Sequence, residues 1–148
     1  MKLYVAGVND DGRSYIESEE EVSDARNSTI WSGSLDDAAR SIDALAATVE
    51  EHPGVEPPLN GLRWNYVRIP PKHEWAAWDN YKPFGFHSTR SIDFDHLISG
   101  RLDCELDEDV IHLEAGDSVI MKTANHSWIN PGDELAVLLA MLQRPIAR

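Results

Sequence analysis

The sequence lacks the features of a secreted, membrane-spanning or nucleic-acid-binding protein. Cys104 is the only cysteine, so no intramolecular disulfide can form. Only 13 lysines and arginines stand against 26 aspartates and glutamates, a formal net charge of −13, which argues against binding to nucleic acid or to an anionic membrane. No segment approaches the roughly 20 apolar residues of a membrane span, and no signal peptide is apparent at the N-terminus. We therefore expect a cytoplasmic protein.

What is present is typical of a globular chain. The 148 residues are 42% hydrophobic and 26% charged, with no internal repeat and no low-complexity segment. A chain of this length can bury roughly 70% of its unfolded surface and needs no disulfide or metal to fold. We predict a single domain over residues 1–148, with N-terminal strands and a helix in 1–60 and a barrel core in 62–142.

The first sixty residues combine a hairpin and a helix. Residues 3–8 and 13–17 flank a turn-forming segment and predict two short strands, followed by an acidic surface loop over 18–26. Ser34 is a candidate N-cap, and apolar residues then recur at helical spacing from 35 to 49. This pattern predicts one α-helix packed outside the barrel.

Strand patterns dominate after Gly61. Apolar and polar residues alternate in short segments separated by turns that contain glycine or aspartate, which is typical of a barrel or jelly roll. The long irregular segment 70–86 carries five aromatic residues, and it predicts either a binding loop or a cover for an apolar face or subunit interface. The predicted strands cover 62–69, 91–98, 102–106, 110–113, 119–122 and 135–142.

The candidate site begins at His87. In an extended segment, His87, Thr89 and Asp93 share one face. An aspartate in the middle of a strand is unusual, because aspartate is depleted in strands and is almost never buried without a partner. We favour a functional role for Asp93, with a structural salt bridge to Arg90 or Arg68 as the alternative.

Two segments resemble the motifs of the cupin superfamily. The first reads His87-x-Thr89, three residues, Asp93, six residues and Gly100. The second contains Gly116, then Met121 and Thr123 where the family has proline and glycine, then His126, Trp128 and Asn130. The chain is similar to a subgroup of small cupins with His-x-Thr-x-x-x-Asp and His-x-Trp-x-Asn motifs, for which we know of no settled reaction.

The resemblance implies an all-β fold, the double-stranded β-helix or cupin jelly-roll barrel, and a homodimer. His87 and His126 match the first and last metal-binding histidines of the family. Thr89 replaces the second histidine, and Asp93 replaces the longer glutamate. Two alternatives follow: a Zn, Fe or Mn ion held by His87, Asp93 and His126, or a site that works without metal.

The expected function is chemistry on a small molecule. Buried histidine and aspartate side chains can have pKa values near neutrality and can move a proton on a substrate, as in a lyase or isomerase. An Fe(II)-dependent dioxygenase and a non-enzymatic binding protein are the alternatives. Family analogy suggests a compact organic acid, a sugar-derived or a polyketide-like substrate. The candidate catalytic residues are His126, Asp93 and His87, and the candidate substrate-binding residues are Thr89, Tyr66 and Arg68.

Three further residues are not assigned to the candidate site. Cys104 lies on an apolar strand face and is predicted to be a small core residue. Trp128 is predicted to pack in the core. Asp95 has the same parity as Asp93 and is given no role, because the strand could leave the barrel there.

Overall fold

The computed structural model describes residues 1–23, 28–34, 54–78 and 81–146, and strands dominate these ranges. The other ordered element in them is a short 3₁₀ helix, Lys72–Ala77. The strands, in chain order, are β1 Lys2–Val8, β2 Ser14–Glu21, β3 Gly61–Ile69, β4 Ile92–Ser99, β5 Arg101–Leu106, β6 Val110–Glu114, β7 Ser118–Lys122, β8 His126–Ile129 and β9 Ala136–Arg144.

These strands form two sheets. The larger has the order β2-β1-β7-β4-β9-β3, and the smaller has the order β6-β5-β8. Neighbouring strands pair antiparallel except β1 and β7, which run parallel. This arrangement confirms the predicted all-β jelly roll.

The core lies between the two sheets. Leu97 and Leu138 from the larger sheet pack with Leu102, Cys104 and Ile111 from the smaller one, and all five are buried. Burying one such aliphatic side chain stabilises the fold by about 1.5–3 kcal/mol. Cys104 is fully buried in this cluster, which agrees with its predicted core role.

Gly100 joins the two sheets at the turn between β4 and β5. Its φ of +82° lies in the left-handed region that glycine adopts at no steric cost. A Cβ at this position would lie 2.8 Å from the backbone Cα of Ala136. The glycine of the first motif is therefore required both by the turn and by the close approach of β9.

Most predicted strands lie within one or two residues of the observed ones, with two corrections. Residues 18–21 were predicted to be a loop, but they continue β2 as an edge strand whose glutamate side chains are solvated and whose backbone pairs with β1. The segment His126–Ile129, predicted only as a motif, is strand β8.

The predicted helix over residues 35–49 lies outside the described residues. Among the residues that are described, no helix is long and apolar enough to cross a membrane.

Candidate functional site

A cavity of about 340 Å³ opens between the two sheets. This volume suits a small organic molecule, since ligand pockets typically measure about 300–1,000 Å³. Its polar lining includes all three candidate catalytic residues, and its apolar lining comes mainly from β9. The principal residues are His87, Thr89, Asp93, Asp95, His126, Trp128, Leu138, Ala140 and Leu142.

A backbone bridge brings the two histidines together. The amide of His87 donates to the carbonyl of His126, and the amide of His126 donates back, both at 2.9 Å. The two imidazole rings consequently lie with their centroids 4.4 Å apart. The predicted convergence of His87 and His126 is therefore observed, although 39 positions separate them in the printed sequence.

His126 is a neutral hydrogen-bond acceptor in this site. It is buried, and its Nδ1 lies 2.9 Å from the carbonyl oxygen of Ala124, so Nδ1 carries the hydrogen and Nε2 keeps a lone pair. Burial and the neighbouring His87 lower the pKa of His126 to about 3. The ring therefore stays uncharged near neutral pH.

Asp93 is a buried carboxyl held by two hydroxyl groups. Thr89 donates to Oδ2 at 2.9 Å, and Ser91 donates to Oδ1 at 2.5 Å. The pKa of Asp93 is raised to about 6, mainly because the carboxyl is buried. The hydrogen bonds from Ser91 and Thr89 lower this pKa, and the charge of Glu56 raises it, but both effects are smaller than that of burial. Asp93 can therefore gain and lose a proton near neutral pH.

The alternative of a salt bridge to Asp93 is not observed. Arg90 instead pairs with Glu56 at 3.3 Å, and Arg144 joins the same carboxylate at 3.3 Å. Within the part of the chain that the structure describes, Asp93 has hydroxyl partners and no cationic one. The strand aspartate is thus stabilised as a polar group that faces the cavity.

The cavity also contains a carboxyl to which the sequence analysis gave no role. Asp95 lies two residues along β4 from Asp93, is 5% exposed and faces the same cavity. Burial and the charge of Asp93 raise the pKa of Asp95 well above its ordinary value. The strand alternation was the signal for Asp95, because β4 stays in the sheet beyond this position.

Three other residues that line the cavity, Trp128, Tyr66 and Arg68, agree only in part with the roles predicted for them. Trp128 packs against the core as expected, yet it also lines the cavity, with its ring edge-on to His126 at a centroid distance of 5.6 Å. Tyr66 and Arg68 border the cavity, but their side chains are exposed, Tyr66 by 64%. The half-buried neighbour Asn65 lines it too.

The donor arrangement does not match a three-ligand metal site. No three histidine, cysteine, aspartate or glutamate side chains in the described ranges converge as metal ligands would. The Thr89 hydroxyl, at the position of the family's second histidine, is directed to Asp93. The Zn, Fe or Mn ion stays a prediction, and no step proposed below passes through it.

Comparisons with known proteins agree with this architecture. Residues 80–142 match the family model described as "Cupin domain". A comparison with curated proteins finds no match to the chain.

Several solved structures are similar to it. A cupin 2 conserved barrel domain protein from Salinispora arenicola is 20% identical, with a TM-score of 0.45 over 59% of this chain and 67% of that one. A cupin-2 domain containing protein from Shewanella frigidimarina is 14% identical, with a TM-score of 0.44 over 75% and 100% of the two chains. A conserved protein of unknown function from Streptococcus pyogenes is 16% identical, with a TM-score of 0.46 over 58% and 67%. The family match therefore identifies a cupin domain over residues 80–142, and the two-sheet barrel is consistent with it.

Proposed function

We propose that this cupin is a small-molecule enzyme of the lyase or isomerase type, which moves a proton on a substrate held in the cavity. The observation that carries the proposal is Asp93, a buried carboxyl with a pKa near neutrality that lines the cavity. General acid and base groups work best when their pKa lies near the operating pH. Dehydration, isomerisation and decarboxylation are the reactions that such a group serves.

Asp93, rather than His126, is the proton-transfer group in this proposal. A histidine with a pKa of about 3 is a weak base at neutral pH, whereas Asp93 is present in both protonation states near pH 6. The Nε2 lone pair of His126 instead accepts a hydrogen bond from a substrate hydroxyl and orients it. Pairs of groups whose pKa values are pushed apart by their surroundings often divide their roles in this way.

The remaining candidates position the carboxyl or the substrate. The hydroxyls of Thr89 and Ser91 hold Asp93 in one orientation. His87 is half-buried, and its ring lies 5.7 Å from that of Phe84, which is 72% exposed. We place His87 and Phe84 at the mouth of the cavity, where they would contact an entering substrate.

Exchange of substrate hydrogen with solvent tests the proposal. Small hydroxy and keto compounds are incubated with the protein in D₂O, and loss of C–H signal is followed by proton NMR. We expect exchange with the wild type, a loss of at least about 100-fold with Asp93→Asn, and full activity in the control Asp133→Asn, since Asp133 is exposed on a turn. Exchange that survives Asp93→Asn would contradict the assigned role.

The same preparation distinguishes the two alternatives. Stoichiometric iron on elemental analysis, with oxygen uptake in the presence of a ligand, would support the dioxygenase. Binding of a ligand without exchange or oxygen uptake would support a binding protein. The donor arrangement around Thr89 and Asp93 gives no specific support to the dioxygenase, so proton transfer remains our proposal.

We also propose that the chain forms a homodimer through strand β3. This strand is an edge of the larger sheet, and Leu62, Trp64 and Tyr66 each leave at least 60% of their surface exposed. Exposed edges with apolar side chains favour pairing with another strand. Light scattering after gel filtration should give twice the chain mass, and Trp64→Lys should lower it to that of a monomer. A wild-type monomer would contradict the proposal.

A further inference from the structure

Asp95 is the innermost polar side chain that β4 contributes to the cavity lining. It is the next inward-facing residue after Asp93 on β4 and lies opposite Ala140 of β9, which also lines the cavity. The following inward-facing residue, Leu97, is fully buried in the apolar core. Asp95 is therefore the last polar side chain before the core begins.

The Asp95 carboxyl lacks a partner in the described part of the chain. It makes no side-chain hydrogen bond or ion pair there, although 95% of the residue is buried. Every fully enclosed side-chain nitrogen or oxygen in the same part has a hydrogen-bond partner. The Asp95 oxygens are therefore not fully enclosed, and the cavity that Asp95 lines is where a ligand would meet them.

The cavity wall supplies little positive charge to balance the two carboxyls. Arg68 is the one lysine or arginine among the described lining residues, and it lies on the exposed face of β3. The aliphatic side chains of the lining come mainly from β9, the strand next to β4 in the same sheet, and the indole of Trp128 comes from β8 of the smaller sheet. Because buried carboxyls are almost always paired, the missing partner is expected to come from the ligand.

We propose that Asp95 determines the specificity of this cavity by selecting a small amine, whose ammonium group donates hydrogen bonds to the Asp95 carboxyl. The proposal deepens the proposed function, on which it rests for the location of the substrate. An ammonium group supplies both the hydrogen-bond donors and the positive charge that the wall lacks. Two nearby carboxyls disfavour an anionic group at the same depth, so an acidic substituent on the ligand would have to face the mouth.

Two other features favour a cation. An aromatic ring attracts an ammonium group at close range, and the indole of Trp128 lines the cavity. The net charge of −13 raises the local concentration of cations around the protein. Both effects would assist an amine and oppose a carboxylate of the same size.

Three ring compounds of matched size test the proposal: cyclohexylamine, which is protonated at pH 7.5, cyclohexanol and cyclohexanecarboxylate. Affinities are measured by ligand-observed NMR on the full chain. We expect the amine to bind at least tenfold more tightly than the alcohol and the carboxylate to bind most weakly. Equal affinity for amine and alcohol, tighter binding of the carboxylate, or no binding of any probe would overturn the proposal.

The variant Asp95→Asn locates the effect. It keeps the shape and hydrogen-bonding capacity of the side chain and removes the carboxylate, so we expect amine affinity to fall at least tenfold and alcohol affinity to stay the same. Asp133→Asn, which removes an exposed carboxylate, is the matched control. Unchanged amine affinity in Asp95→Asn would overturn the proposal, and the wild-type comparison decides by itself if this variant does not fold.

The readout separates this proposal from the function on which it rests. Binding is measured without turnover, so selective amine binding without proton exchange would contradict the proton-transfer enzyme alone. Proton exchange on non-amine compounds, with no amine preference, would contradict the role of Asp95 alone.

Discussion

Replacing Asp93 by asparagine should make the protein more stable, by an amount that grows with pH. Folding raises the pKa of Asp93 from 3.8 to about 6, so the folded state holds this proton more tightly than the unfolded state. The contribution of the group to stability is complete below pH 3.8 and is lost as the pH rises through 6. Above pH 6 the loss is about 3 kcal/mol, at 1.36 kcal/mol for each pKa unit.

The asparagine side chain cannot ionise and so avoids this loss, while it can still accept a hydroxyl hydrogen bond. We expect the stability difference between Asp93→Asn and the wild type to be about 1.4 kcal/mol larger at pH 8 than at pH 5. Urea unfolding followed by tryptophan fluorescence measures it, with Asp133→Asn as the control for removal of one carboxylate. Parallel pH profiles for Asp93→Asn and the wild type would refute the assignment of a buried, proton-holding Asp93.

Three further predictions concern the groups around the site. Glu56→Gln removes the buried carboxylate that contacts two arginines, and it should lower the free energy of unfolding in urea by about 3–5 kcal/mol. A decrease below about 1 kcal/mol would mean that these ion pairs are solvated. Thr89→Val removes a hydroxyl donor from Asp93 and should cost about 1–3 kcal/mol, whereas an unchanged midpoint would show that the hydroxyl is not needed. Burial raises the pKa of the Cys104 thiol well above its ordinary value, so a thiol reagent should label Cys104 only in urea, and rapid labelling of the native protein would place it at the surface.

The barrel strands could be predicted because their side chains alternate. Leu102, Cys104 and Leu106 are buried, while Asp103 and Glu105 between them are half-exposed, as their polarity indicates. Motif spacing also predicted that His87 and His126 converge. The same alternation could have identified Asp95, but only once β4 was known to continue in the sheet past Asp93.

Long-range pairings were less accessible from the sequence. Nothing local indicates that β1 pairs parallel with β7, since the contact joins segments more than 100 residues apart. The sequence analysis gave Glu56 no role, yet its carboxylate accepts hydrogen bonds from Arg90 and Arg144. The Arg90 side chain was therefore unavailable to Asp93. The homodimer and the cytoplasmic location stay predictions.

An NMR titration of Asp93 and His126 tests the central claim most directly. The side-chain carboxyl carbon of Asp93 and the ring carbons of His126 are followed from pH 8 to pH 4. The site described here predicts a midpoint near 6 for Asp93 and no protonation of His126 above pH 4. A midpoint near 4 for Asp93 together with one near 6.5 for His126 would place both groups in water and contradict the shared cavity.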